Sequence, residues 1–144
     1  MSEKSVSTVI IDAPLADVQA ALFEIAAYPE WLSSIKKADV IERDGENRVI
    51  KAKLAIDAGM MKDRVTLDYD WSAAPASLSF SMDDADLLTQ MDGTYSIKAI
   101  DADSTEVTYE LTVAVGMPVP AMMITKAQKQ TIDAALKELA ERVA

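Results

Sequence analysis

The sequence predicts an α+β fold, a curved antiparallel seven-stranded sheet wrapped against one long C-terminal helix. Three observations carry that expectation. From Ile35 to Val115 apolar and polar side chains alternate, which is the period of a strand with one wet face, and turn residues recur between the runs. From Pro120 to Val143 the period becomes helical, with Ile124, Gln128, Ile132, Ala135, Leu139 and Val143 on one side and Lys126, Lys129, Asp133, Lys137 and Glu141 opposite or flanking. Ahead of both, a β-branched run leads straight into a shorter apolar-striped segment.

That run, Val6 to Ile11, ends at Asp12-Ala13-Pro14, where proline suits the first turn of a helix and an acid favours the positive end of its dipole. Leu15, Val18, Leu22 and Ile25 then recur at helical spacing, giving a helix over Pro14 to Ala26. Proline restricts the residue before it, so the chain breaks near Tyr28, and Tyr28 and Trp31 anchor the corner.

The strands follow. Ile35 to Arg43 is the first, closed by the turn chemistry of Asp44-Gly45-Glu46-Asn47. Ile50, Ala52, Leu54 and Ile56 alternate next, up to a turn at Asp57-Ala58-Gly59, and Val65, Leu67, Tyr69 and Trp71 alternate with charged or hydroxyl residues after it. Ala73-Ala74-Pro75 breaks that strand, and Leu78, Phe80 and Met82 alternate with serines. Asp92-Gly93 is expected to be a turn before the strand of Tyr95 and Ile97, and the last strand runs from Val107 to Val115. Short turns between consecutive strands imply antiparallel pairing, and the two helices are the available cover for the apolar face. The order is β-α-α-β-β-β-β-β-β-α.

Composition bounds the function. A chain of 144 residues, half of them hydrophobic, suits one domain over 1–144 with a real core. With 24 acids against 14 bases and a formal charge of -10, nucleic acid and anionic membrane surfaces are poor partners. Neither cysteine nor histidine occurs, which excludes disulfides, thiolate and imidazole catalysis, and the usual zinc and iron ligands. No metal or cofactor is expected. No run is long enough to span a bilayer, and Met1 to Val6 lacks the features of a signal peptide, so the expected location is cytoplasmic, without stable membrane insertion.

Several side chains are candidates for a site. Gln128 puts a carboxamide within the apolar stripe of the last helix, where it needs a strand side chain, a trapped water or a ligand as partner. Tyr69, Tyr95 and Tyr109 face inward and need hydroxyl partners, while Ala52, Val65, Val113, Ala127 and Ala135 are small. Patterning leaves a solid core and an occupied hollow equally open. Met60, Met61, Met91, Met117 and Met122, with Leu87 and Leu88, gather at strand ends and before the last helix, as gap fillers or as the apolar mouth of a cavity. Asp63, Asp83, Asp84 and Asp86 are the only acids placed to act as a general acid or base with a raised pKa, and they match no calcium-loop spacing.

The strand running into Ile11-Asp12-Ala13-Pro14, then Val18, Leu22 and the corner Tyr28-Pro29-Glu30-Trp31, resembles the START-like (SRPBCC) superfamily, within it the polyketide cyclase/dehydrase and coenzyme Q-binding group. The likeness runs from Val6 through the closing helix. It implies a helix-grip fold with an elongated hydrophobic cavity, whose wall, carried over by position, is Tyr69, Trp71, Phe80, Met82, Tyr95, Tyr109, Gln128 and Ile132. It also implies a hydrophobic small-molecule ligand: a lipid, quinone or polyketide-like compound. The first reading is a binding protein without catalytic residues. A cyclase/dehydrase-type enzyme is the alternative, weakened by the missing histidine and by Arg43, Arg48, Arg64 and Arg142 lying away from the inner face. A protein-interaction module with a filled core, meeting a protein partner through Leu87, Leu88 and the methionines, is a further one.

Overall fold

A computed structural model describes residues 3–57 and 62–144. The elements are β1 (Ser5–Ile11), α1 (Leu15–Phe23), a 3-10 helix (Ile25–Glu30), β2 (Ile35–Arg43), β3 (Val49–Asp57), β4 (Lys62–Asp70), β5 (Ser77–Ala85), β6 (Leu88–Asp101), β7 (Ser104–Val115) and α2 (Ala121–Val143). The strands form one antiparallel seven-stranded sheet in the order β1-β7-β6-β5-β4-β3-β2, so the first strand closes onto the last and every other pair is sequential. The predicted helix-grip architecture is the observed one. The predicted turn at Asp57-Ala58-Gly59 lies partly outside the described residues.

Two boundaries differ from the sequence reading. The first helix ends at Phe23 rather than Ala26, because Glu24 leaves the helical region at φ −92 and ψ 76 and a 3-10 helix takes over. The buried Tyr28 hydroxyl donates to the Leu22 carbonyl, one of the acceptors that a helix end leaves open. Asp92-Gly93 is not a turn. It lies inside β6, with Gly93 paired to Phe80 of β5, and a β-carbon at Gly93 would fall 2.3 Å from the Phe80 ring. Glycine is there so that an aromatic ring can lie flat over the backbone.

The inner face of the sheet is continuous and apolar. Val65, Leu67 and Tyr69 of β4 are buried while their neighbours are more exposed, and the same alternation runs along β7 from Thr105 to Val113. The outer face carries hydroxyls and ion pairs, among them Thr8 with Thr108 at 2.9 Å, Ser79 with Thr94 at 3.0 Å, and Lys51 between Asp68 and Asp83.

Helix α2 packs on β1, β7 and α1, at one edge of the curved sheet. Gln128 accepts from the Val113 amide at 2.6 Å and donates to the Glu3 carbonyl at 2.8 Å and to Ser5 Oγ at 2.9 Å. Ser7 Oγ donates to Asp133 at 2.8 Å, and Lys129 reaches the Val6 carbonyl at 3.2 Å and Ser7 Oγ. Toward the far end, the Ser33 amide donates to Glu138 at 3.2 Å and Arg142 pairs with Glu30 at 3.1 Å.

Candidate functional site

Across the sheet from that anchored edge, α2 and the strands do not close completely. An inner hollow of about 50 Å³ lies between them. Leu54 and Ile56 of β3, Leu67 and Tyr69 of β4 and Leu78 and Phe80 of β5 form its floor; Tyr95, Met91, Tyr109 and Val113 come from β6 and β7. The helix contributes only Thr131 and Ala135, which are too small to fill the concavity, and the corner after α1 supplies Tyr28, Leu32 and Ile35. Thr131 donates to its own helix at the Ala127 carbonyl, 2.8 Å away, and so presents mainly its methyl to the space.

A second, mainly apolar hollow, of about 200 Å³, lies outward of the first, lined by Leu87, Leu88, Val113, Val115, Met117 and Met123 among others, with Lys62 as its charged residue among those described. Leu88 and Val113 line both spaces and form the partition between them. Leu87, Met117 and Met123 are exposed at the outer rim, and Met122 is 81% exposed beside it.

The tyrosines divide the inner space chemically. The Tyr95 and Tyr109 rings stack with centroids 4.1 Å apart at 17°, and their hydroxyls hydrogen-bond to each other. Tyr69 tilts against Phe80 at 5.9 Å. Its hydroxyl has no hydrogen-bond partner among the described residues. Every fully enclosed side-chain nitrogen or oxygen among them has a partner, so the Tyr69 hydroxyl opens onto the hollow. Burial raises the pKa of Tyr69, with a further push from Tyr109, and burial likewise raises Tyr28, Tyr95 and Tyr109. All four are neutral hydrogen-bonding groups at physiological pH.

Among the described residues Asp63 is the one charged side chain on the inner lining. Burial acts to raise its pKa, but the amides of Leu88, Leu87, Arg64 and Asp86, at 2.8, 2.9, 2.7 and 3.1 Å, outweigh it and hold the carboxyl below its ordinary range. The expectation of a raised carboxylate at the cavity edge is thus corrected at Asp63. Asp83 pairs with Lys51 and Asp86 with Arg64, both on the exposed outside. Among the described residues no cluster of acidic side chains could hold a metal ion.

The structure brings Tyr69, Phe80, Tyr95 and Tyr109 together around the inner hollow, with Leu88 and Met91 at its edge. It does not bring Trp71, Met82, Gln128 or Ile132 there. Trp71 follows the end of β4, donates its indole N–H to the Val49 carbonyl at 2.7 Å, meets Phe23 edge-on at 5.2 Å and lies under Arg48. Met82 packs against the core at a partly buried position past the cavity floor. Gln128 is wholly buried with both ends of its amide engaged, so its partners are β1 and β7 and the chain before β1 rather than a guest. Ile132 is wholly buried in the core. Of the mouth residues, Leu87 and Met117 line the outer hollow, Met122 lies just outside it, and Met60 and Met61 lie outside the described residues. Leu54, Ile56, Leu67, Leu78 and Thr131 were not singled out beforehand; the alternation of β3, β4 and β5 marked the strand residues as inward-facing without saying which of them border space.

An open antiparallel sheet gripping a C-terminal helix over an apolar hollow is a helix-grip fold. More narrowly, the chain belongs to the polyketide cyclase/dehydrase and lipid transport family, whose model matches residues 2–144. Among solved structures it is similar to a START superfamily protein from Mycobacterium smegmatis, with 24% identity, a TM-score of 0.91, and coverage of 97% of this chain and 96% of that one. It is also similar to the Zhui aromatase/cyclase from Streptomyces sp. R1128, with 16% identity, a TM-score of 0.79, and coverage of 98% and 93%. The TTHA0849 protein from Thermus thermophilus matches with 19% identity, a TM-score of 0.83, and coverage of 98% and 97%. At these identities the likeness is one of fold. Among curated proteins none matches the sequence. No helix of the described residues is long and apolar enough to cross a membrane.

Proposed function

We propose that residues 1–144 act as one binding domain that shields a hydrophobic small molecule, a lipid, quinone or polyketide-like compound, between the sheet and α2. One observation carries this reading: an apolar path runs from an exposed rim, past Leu88 and Val113, to a buried tyrosine hydroxyl without a protein partner. Sites for small molecules are mostly apolar with a few convergent polar groups, and this path has that character.

In its closed form the inner space, about 50 Å³, holds a few waters and is well below the roughly 150 Å³ that takes a benzene ring. A guest therefore joins the two hollows by displacing Leu88, which sits at the start of β6 next to the β5–β6 turn. The driving force is apolar burial, about 25 cal/mol per Å². Cyclase/dehydrase-type turnover has weaker support, because Asp63 is held ionised by backbone amides and the lining tyrosines are held protonated. The cytoplasm, the compartment expected from the sequence, is the proposed place of action.

The test is organic extraction of the purified protein followed by mass spectrometry, with thermal shift of the emptied protein against neutral lipids, quinones and aromatic polyketides. A co-purifying apolar compound that raises Tm on re-addition is the expected result. Empty extracts together with an unmoved Tm would overturn the reading and return attention to Leu87, Met117 and Met122 as a surface for a protein partner.

A further inference from the structure

The charges around the inner hollow are one-sided. Among the described residues no lysine or arginine lines it, and its one ionised group is the Asp63 carboxylate, fixed by the amides of Asp86, Leu87 and Leu88 beside the partition. The remaining polar atoms that face inward are hydroxyls, and the Tyr69 hydroxyl is a donor with nothing in the protein to accept from it. A guest bearing a carboxylate or phosphate would pass Lys62 in the outer hollow, but in the inner one it would shed its water without meeting a cation and would lie near the Asp63 anion. Burying an uncompensated ion is far costlier than burying an amide or a carbonyl. A guest with a carbonyl oxygen would instead give Tyr69 the acceptor it lacks.

Building on the binding function proposed above, we propose that the hollow selects uncharged guests carrying an acceptor oxygen, a ketone, ester or lactone, and rejects anionic lipids such as free fatty acids. Tyr69 is the specificity-determining residue, donating to that oxygen. The Tyr95–Tyr109 pair is the lesser contributor, since one of its two hydroxyl protons is already spent between the rings.

The experiment uses the full chain, emptied by extraction, and three probes with the same twelve-carbon chain: methyl laurate, laurate and dodecane, titrated at neutral pH. Methyl laurate is expected to bind at least about ten-fold more tightly than laurate, because only the ester enters without burying a charge. Tyr69→Phe is expected to weaken methyl laurate about five-fold, the worth of one hydrogen bond, while leaving dodecane unchanged and the fold intact, because the lost hydroxyl bonds nothing in the protein. Laurate binding as tightly as its ester would overturn the selectivity while leaving the binding function standing. Equal loss of ester and dodecane in the Tyr69→Phe protein, or no loss of either, would overturn the role of Tyr69. Failure of all three probes to bind the wild-type protein would instead overturn the binding function itself.

Discussion

The two flanks of α2 are built from different interactions. On the side of β1 and β7 the helix is held by polar ties of fixed length: the three bonds of Gln128, the Ser7–Asp133 bond and the reach of Lys129 to β1. On the side of β3, β4 and β5 it offers Thr131 and Ala135 to an apolar floor and leaves space. Directional bonds set where the helix lies, and because they fix it at one edge, the other edge need not be packed to hold it. Native cores are usually filled to crystal-like density, so an unfilled flank beside a tightly bonded one is the natural place for the guest proposed above.

The comparison breaks most visibly at Gln128. Gln128→Leu keeps the size of the side chain but strands the Val113 amide and withdraws a donor from the Glu3 carbonyl and Ser5. Each buried group left without a partner costs about 1–3 kcal/mol, so a loss of about 3 kcal/mol is expected in urea unfolding, with the slope unchanged. A midpoint matching wild type would show that the polar ties do not set the helix. The sequence already flagged this residue, since a carboxamide in an apolar stripe demands a partner. What it did not contain was the direction of that demand, because the partners come from β7 and from the start of the chain, 15 and 125 residues away.

Gly93 sharpens the other flank. Any β-carbon there meets the Phe80 ring at 2.3 Å, and that ring borders the inner hollow. Gly93→Ala should cost about 1–3 kcal/mol by overpacking and reduce binding of apolar probes by filling the space from the floor. Combining it with Phe80→Leu should recover both, whereas undiminished binding by Gly93→Ala alone would dissociate the floor from the site. The reason Gly93 was read as a turn is instructive: Asp-Gly is a strong local turn signal, and only the cross-strand pairing with Phe80 reveals the competing use of glycine. The same limit explains Trp71. The alternation Val65, Leu67, Tyr69, Trp71 correctly points all four inward, but β4 ends at Asp70, and beyond it the inner face meets Phe23 and the Val49 carbonyl rather than the hollow. Face is legible from period; position along the face relative to a helix distant in sequence is not. Tyr95 and Tyr109 lie mid-strand and Tyr69 still within β4, one residue before its end, and at these three the sequence reading of the site coincides with the lining.

The smallest effect falls at the rim, where Asp63 ties the turn carrying Leu87 and Leu88 to β4 through three amides beyond its own neighbour's. Its folded-state pKa is depressed, so its contribution is present above the unfolded carboxyl value of about 3.9 and is lost as pH falls through the lower folded value. Asp63→Asn replaces one accepting oxygen by an NH₂ that cannot accept from these amides. Because the carboxylate is partly open to solvent, the expected loss at neutral pH is only about 1 kcal/mol, and the variant should show a shallower decline in stability between about pH 5 and 3 than wild type. Loosening the turn should also free Leu88, so apolar probes are expected to associate and dissociate several-fold faster with little change in affinity, because Asp63 offers an apolar guest no favourable contact and acts on it through the partition. Stopped-flow binding and urea titrations at both pH values measure this. An acid slope identical to wild type, with unchanged rates, would show that the turn is held by its strand pairing alone and that the partition at Leu88 is governed from the helix side.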